Sequence, residues 1–406
     1  MNKKISFSSL KDINTLTKGK KIVLFGAGNI AEKTLRIIDK KKIVFIVDNA
    51  SNHWGKKQTN FQIKNPINIK NLSKKYFIII CTTSYTDVAN QLSKYGFKQN
   101  EFTVSPVLND LRSIDELEKM EKKIIFSSGS PKKNDPLSGG GIYLLELNGT
   151  KWKYKKKISG NCYGIIKYNN NFVSVDADLG IFEFSKSFKI LRSKKLPKNS
   201  RGHGIHFNES RSEFYVVCSY QDSILVLDKK FEIKGKIKIS DKMKNEKTAC
   251  HHANDCVSYK NSLYVSMFSK SGNWKLDSFD GAILEIDLIK KRPSSTILDN
   301  LWMPHNPKII NGSFYVLDSL RGFLKGNNFN TIATFPGFTR GLAHDGNYFF
   351  IGQSKNRNFS RNLGVNNNTS IDSGIIIFDE EKKISRFLQL SSEISEIHSI
   401  EFLDYE

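Results

Sequence analysis

Seven of the eight histidines in this 406-residue sequence lie after residue 200: His203, His206, His251, His252, His305, His344 and His398. Imidazole titrates near neutral pH and binds divalent metals, so converging histidines suit proton transfer or metal ligation. All seven fall in or beside a recurring phrase: a polar residue, a small or turn-forming one, then a mostly apolar run. The phrases are Tyr163-Gly164-Ile165-Ile166, His203-Gly204-Ile205-His206, Asn254-Asp255-Cys256-Val257, Asn306-Pro307-Lys308-Ile309, Arg340-Gly341-Leu342-Ala343 and His398-Ser399-Ile400-Glu401. Their offsets of 34 to 58 residues average 47, close to the blade repeat of a β-propeller, about 40–50 residues. Six phrases predict six blades.

In a propeller the first strand of each blade lines the central channel, so the leading residues converge although far apart in sequence. The expected ring is Tyr163, His203, Asn254, Asn306, Arg340 and His398, with His252 and His305 beside it. His252, His305 and His398 are the candidate metal ligands or acid/base groups. Arg340 is the candidate counter-charge for a carboxylate or phosphate in catalysis, and Tyr163, His203, Asn254 and Asn306 are candidate substrate contacts. A divalent metal ion, metal-free acid–base chemistry, and a channel of polar residues around ordered water all fit this pattern. Asp255 and Glu401 are the best placed acidic partners, and no G-x-S-x-G elbow supports a serine nucleophile.

A second constellation is Gly26-Ala27-Gly28-Asn29-Ile30-Ala31, a G-x-G-x-x-A turn after the apolar run Lys21–Phe25, with Asp48 closing the run Ile43–Val47. Glycines there admit a phosphate to the helix N-terminus, and the carboxylate can take ribose or sugar hydroxyls. Gly26, Gly28 and Asp48 are therefore the candidate nucleotide-binding residues.

The elements that must carry these groups divide the chain. Residues 1–107 alternate buried strands (Lys21–Phe25, Ile43–Val47, Tyr76–Cys81) with helical periods, the pattern of a small Rossmann-like parallel sheet that holds one mononucleotide half. Residues 108–123 read as a linker helix through Ile114, Leu117 and Met120. Residues 124–406 are short strands between Asn, Gly, Ser and Asp turns. Ring closure is expected from His398–Leu403 joining the strands near Ile124–Ser127, Gly141–Leu147 and Trp152–Lys157, which would leave no open sheet edge.

Lys21–Gly28, Phe45-Ile46-Val47-Asp48-Asn49, His53-Trp54-Gly55-Lys56, Asn65-Pro66 and Ile78–Ile80 resemble the small Rossmann-type domain attached to bacterial sugar-modifying enzymes. That resemblance implies a nucleotide-sugar-holding module. His251-His252-Ala253-Asn254-Asp255, Met303–Pro307 and Pro336–Ala343 together resemble an uncharacterised family of bacterial six-bladed propellers with a domain of unknown function. More distantly the channel is similar to those of lactonase, gluconolactonase and streptogramin-lyase propellers, which use a channel metal, but their carboxylate-rich ligand set is not matched.

The net charge is +23, from 63 Lys+Arg against 40 Asp+Glu. Of the 63, 52 are Lys, spread over both parts of the chain and accompanied by many Asn and Ile, as AT-rich coding supplies. The expectation is no nucleic-acid partner. Five cysteines without a C-x-x-C pair point to a reducing compartment, and no apolar run is long enough to span a membrane. The sequence thus reads as a cytoplasmic protein of surface-polysaccharide or nucleotide-sugar metabolism. Its channel would bind a polar carbohydrate with metal-assisted lyase, hydrolase or epimerase chemistry. The alternative is a non-catalytic sugar-recognition or docking scaffold with protein partners in a biosynthetic cluster.

Overall fold

A computed structural model of the chain describes residues 8, 10–17, 19–129, 139–276, 279–355 and 369–403. It forms two compact units, Met1–Glu118 and Lys119–Glu406.

The first unit is built on Lys21–Phe25. This strand pairs in parallel with Ile43–Val47 on one side and Tyr76–Ile80 on the other. Phe61–Lys64 and Phe102–Val104 extend the parallel sheet outward, and Lys57–Gln58 adds an antiparallel edge. Side chains alternate across the sheet, as the two-residue period of a strand requires. Ile22 and Leu24 pack with Ala31 and Leu35 of the helix Asn29–Ile37, whereas Val23 and Phe25 pack with Val88 and Leu92 of the helix Tyr85–Lys94. With helices on both faces, the central strands are buried throughout, which explains the unbroken apolar run Phe77-Ile78-Ile79-Ile80. Strand order reverses beside Lys21–Phe25, and Gly26 lies at the carboxyl end of that strand, where open α/β sheets bind ligands.

The second unit is a six-bladed β-propeller of six four-stranded sheets. The inner strands of the first five blades are Cys162–Tyr168, Gly202–Asn208, Ala253–Tyr259, Pro304–Ile310 and Phe338–His344. The sixth sheet has Ser399–Phe402 innermost, followed by Glu121–Ser128, Gly141–Asn148 and Lys151–Ser159. The helix before the propeller spans Asn109–Glu118, and residues 121–123, read from the sequence as helix, are already strand. Pairing of Glu121 with Asn148 and of Lys123 with Glu146 extends the ladder through residues whose side chains are polar and helix-like in spacing.

Each inner strand of the first four blades carries a bulge. Cys162 pairs with Asp176 and Ile165 with Ser174, so two residues, Tyr163 and Gly164, stand opposite one; the same shift occurs after Gly202, Ala253 and His305. Side chains at these bulges tie neighbouring blades together. Asp255 Oδ2 accepts from the Asn306 N–H at 3.1 Å, Asn306 Oδ1 accepts from the Gly341 N–H at 2.6 Å, and Asn306 Nδ2 donates to the His398 carbonyl at 3.1 Å. On the closing side, the Ser127 hydroxyl donates to the Tyr163 carbonyl and the Ser399 hydroxyl to the Ile165 carbonyl. Asn306 thus spans three blades. Replacing it by alanine orphans a buried N–H and a buried carbonyl, each worth about 1–3 kcal/mol. Asn306→Ala should lower unfolding stability by about 2–4 kcal/mol in urea denaturation, and a loss within about 0.5 kcal/mol would mean that the bridge carries no weight.

Candidate functional site

The bulge sets which residues face the axis. Counting from the paired positions Cys162–Asp176, Gly202–Cys218, Ala253–Met267, Pro304–Asp318 and Phe338–Ser354, the next residue inward is Tyr163, His203, Asn254, His305 and Thr339 in turn. His398, ahead of Ser399, completes the ring in the sixth blade. Asn306 and Arg340, assigned to this ring from sequence, lie one residue later, level with Gly164, Gly204 and Asp255. Their polar–small phrases imitate the others, but the ladder register shifts them. Asn306 is accordingly a structural bridge with its amide fully engaged, not a free substrate contact.

The ring closes through aromatic contact. Tyr163 lies 4.8 Å from His203 and 4.7 Å from His398 between ring centroids, and His203 meets His398 edge-on at 5.2 Å. His305 lies 6.0 Å from His203. Two carboxylates stand behind these imidazoles. Asp255 Oδ1 is 3.7 Å from His203 Nδ1, and Glu396 Oε2 is 3.1 Å from His398 Nε2. Gly129 makes room for the second pair, since a Cβ there would sit 2.7 Å from His398 Nε2. Glu396 also faces Arg340, with Nη1 to Oε1 at 3.4 Å, so the arginine's charge is met within the protein.

Hydrogen bonds fix two tautomers. His305 Nδ1 lies 2.9 Å from the Met303 carbonyl, which only accepts, so the proton is on Nδ1 and Nε2 is a bare lone pair; the Ser319 hydroxyl sits at the same nitrogen. His398 donates through Nε2 to the Glu396 carboxylate, leaving Nδ1 bare. His305 Nε2, His398 Nδ1 and Asn254 Oδ1 are all buried with no hydrogen-bond partner. Burial holds His305 well below the usual histidine range, with neighbouring Arg340 and His203 adding to the effect. Burial also pushes His398 down to about 4, although Glu396 opposes it. For Asp255 burial acts upward, but His203 and the Asn306 N–H outweigh it and keep the carboxyl below its ordinary value.

His252 stands apart. Its backbone has φ +51°, and the Asp222 carboxylate holds this turn by accepting the N–H groups of Cys250, His251 and His252. The ring is stacked on Phe268 and packed on Trp274, each 4.5 Å away. His251 is structural: Nδ1 donates to the Ser269 carbonyl and Nε2 accepts from the Ser240 hydroxyl. The metal set expected from sequence, His252, His305 and His398, does not form a ligand group. The His252 ring is packed between Phe268 and Trp274, and among the described residues no three of His, Cys, Asp and Glu converge to hold an ion.

Sequence reasoning missed Arg201 and Glu396. Arg201 directs Nε and Nη2 to the Tyr163 hydroxyl at 3.2 and 3.0 Å and Nη1 to the Tyr220 hydroxyl at 2.9 Å. Both residues precede inner strands, outside the repeated phrases; only their nearness to His203 and His398 in sequence signalled them.

In the first unit, Gly26 has φ +110°, and a Cβ there would meet the Cys81 carbonyl at 2.7 Å, so glycine is required by strand packing. Gly28 caps the helix Asn29–Ile37 with nothing near its Cβ position. Asp48 accepts from the Ala27 N–H at 2.6 Å and the Ala50 N–H at 2.7 Å, so its carboxylate braces the glycine turn.

Comparison with known proteins adds the following. Residues 18–103 match a family described as C2185-like, N-terminal. No curated protein matches the chain. Among solved structures, the chain is similar to one in a nidogen/laminin complex, at 11% identity over 69% of this chain and 97% of that one, with a TM-score of 0.49. It is also similar to a protein from Lactobacillus plantarum, at 12% identity over 70% and 100% of the two chains, TM-score 0.44. A third is the calcium-binding protein regucalcin from Agrobacterium tumefaciens, at 10% identity over 55% and 72%, TM-score 0.39. No helix among the described residues is long and apolar enough to cross a membrane. Residues 180–405, more than half of the sequence and most of the propeller, match the domain of unknown function DUF4915, and the chain belongs to that family.

Proposed function

We propose that the propeller channel binds a carbohydrate-like polyol and transfers protons on it, as a lyase, hydrolase or epimerase does. The observation that carries this reading is the set of three buried acceptors without donors, Asn254 Oδ1, His305 Nε2 and His398 Nδ1. Buried polar atoms are rarely left unpaired, and a ligand that satisfies several acceptors must bring several O–H donors, as a sugar does. Two imidazole–carboxylate pairs, His203–Asp255 and His398–Glu396, flank Tyr163, so one group can take a proton while another returns it. His305 and His398, whose proton affinities burial lowers, present neutral lone pairs that accept from a hydroxyl. In the first unit, the uncapped helix start at Gly28 fits the phosphate of a nucleotide sugar, with Asp48 shaping the turn rather than contacting ribose.

The catalytic half is tested by incubating the protein in heavy water with uronate-containing oligosaccharides and nucleotide sugars, and following deuterium entry at carbon by NMR. Exchange or product formation should survive a chelator and fall by about 10²-fold or more in His398→Ala and His203→Ala. Saturable binding without exchange or product would overturn catalysis and leave sugar recognition.

A second expectation concerns acid stability. His398 has its proton affinity lowered from 6.5 to about 4, so the folded state binds fewer protons than the unfolded chain between those values. Its stabilising contribution is complete above pH 6.5 and is lost as pH falls toward 4. Stability should therefore decline by about 1.4 kcal/mol per pH unit for each such histidine across that window. His398→Gln should flatten the slope of denaturation midpoint against pH, and an unchanged slope would refute the assignment.

A further inference from the structure

We infer that Arg201 anchors an anionic group of the channel ligand, a carboxylate or a phosphate; this rests on the carbohydrate reading above and narrows it to acidic sugars. The arginines around it are already matched. Arg192 pairs with Glu183 at 2.7 Å, Arg211 with Glu213 at 2.9 Å, Arg321 with Asp318, and Arg340 with Glu396 at 3.4 Å. Arg201 spends its N–H groups on two phenol hydroxyls instead, Tyr163 and Tyr220. A guanidinium stays charged at any physiological pH, and here its N–H groups contact only neutral phenols while the Glu396 carboxylate, which does favour its charge, is engaged with Arg340 and His398. Its fork matches a carboxylate or phosphate bidentately, and a charged acceptor makes a bond roughly twice as strong as a neutral one, so an oxyanion can displace the phenols.

Position supports the role. Tyr163, which the fork grips, packs on His203 and His398, so the cation is one side chain away from the bare imidazole nitrogens. Tyr220 on the other side is 50% exposed, and the guanidinium lies 4.8 Å over its ring, so Arg201 links the buried ring to solvent. Arg201 also has φ +45°, an uncommon backbone for a long side chain, held by the Ser219 N–H and hydroxyl, which both donate to its carbonyl at 3.2 and 3.3 Å. Strain of this kind, fixed by specific bonds, collects at ligand-holding residues. The counter-charge role assigned to Arg340 from sequence thus passes to Arg201, because Arg340 is occupied by Glu396.

Isothermal titration of the full chain with glucuronate, glucose 1-phosphate, glucose, acetate and inorganic phosphate tests this. Glucuronate or glucose 1-phosphate should bind at least tenfold more tightly than glucose, and whichever of the two is tighter identifies the anion. Arg201→Gln should remove that preference, and Arg201→Lys, which keeps the charge but loses the fork and serves if the first variant does not fold, should weaken it several-fold. Acid-sugar affinity unchanged in both variants, or no anion bound by the wild type, overturns the anchor. Arg201-dependent binding of acetate or inorganic phosphate with no gain from a sugar keeps the anchor and overturns the carbohydrate reading instead.

Discussion

Six sheets meet at the propeller axis with no backbone ladder from one to the next among the described residues, so the ring must be held shut by side chains. The bulge near the start of the inner strands supplies them. An ordinary strand turns alternate residues away from the axis, but a bulge brings two consecutive residues to one side and unpairs a backbone N–H. Asp255 and Asn306 take up backbone N–H groups on the next blade, and at closure the Ser127 and Ser399 hydroxyls donate to the Tyr163 and Ile165 carbonyls. The channel and the fold therefore share a single row of residues.

That sharing divides the labour between two adjacent levels. Asp255 at the second bulge position of its strand and Asn306 at the first of its own stitch blades; Gly164 and Gly204, level with them, have no side chain because none fits. A Cβ on Gly204 would lie 2.4 Å from the Asp255 Cα. The level above, Tyr163, His203, Asn254, His305, Thr339 and His398, carries the unpaired acceptors, although the Asn254 amide still donates to the Pro304 carbonyl of the next blade. Asp255 joins the two levels, since one oxygen takes the Asn306 N–H while the other faces His203. The carboxylate that orients a candidate base is thereby fixed by the same bond that locks the third blade to the fourth.

Much of this was legible in the residues. Six polar–small–apolar phrases at blade spacing indicated the propeller, because each marks the start of an inner strand and, in the first five blades, its register shift. The outer strands were harder to see: Ile233–Lys238 and Ile190–Lys194 are exposed and lysine-bearing, as edges that must not pair with other chains tend to be. The phrases put Tyr163, His203, Asn254 and His398 at one register level, whereas the ladder sets Asn306 and Arg340 one residue later. Asn306-Pro307 and Arg340-Gly341 mimic Tyr163-Gly164, and only the pairing of Pro304 with Asp318 and of Phe338 with Ser354 reveals the offset. In the first unit the glycine turn and Asp48 also have local roles that the motif does not spell out: Gly26 avoids the Cys81 carbonyl, and Asp48 braces the turn from within.

The charge of the channel follows from the same geometry and differs from that of the surface. Although the chain carries +23, burial keeps His305 and His398 neutral and Glu396 pairs with Arg340, while Arg201 contacts two phenols. With His305 and His398 held neutral by burial, they can approach His203 at 5–6 Å without the mutual repulsion that protonated rings would suffer. Crowding also excludes water from their lone pairs, so the acceptors that stabilise nothing in the free protein are available to a ligand with hydroxyls. A protonated ring would reverse this: it would offer donors instead of acceptors and repel Arg340 beside it. The neutrality of His305 and His398 thus keeps their lone pairs as acceptors, and Arg201, which contacts phenols and no carboxylate, is where the proposed acidic ligand would find opposite charge.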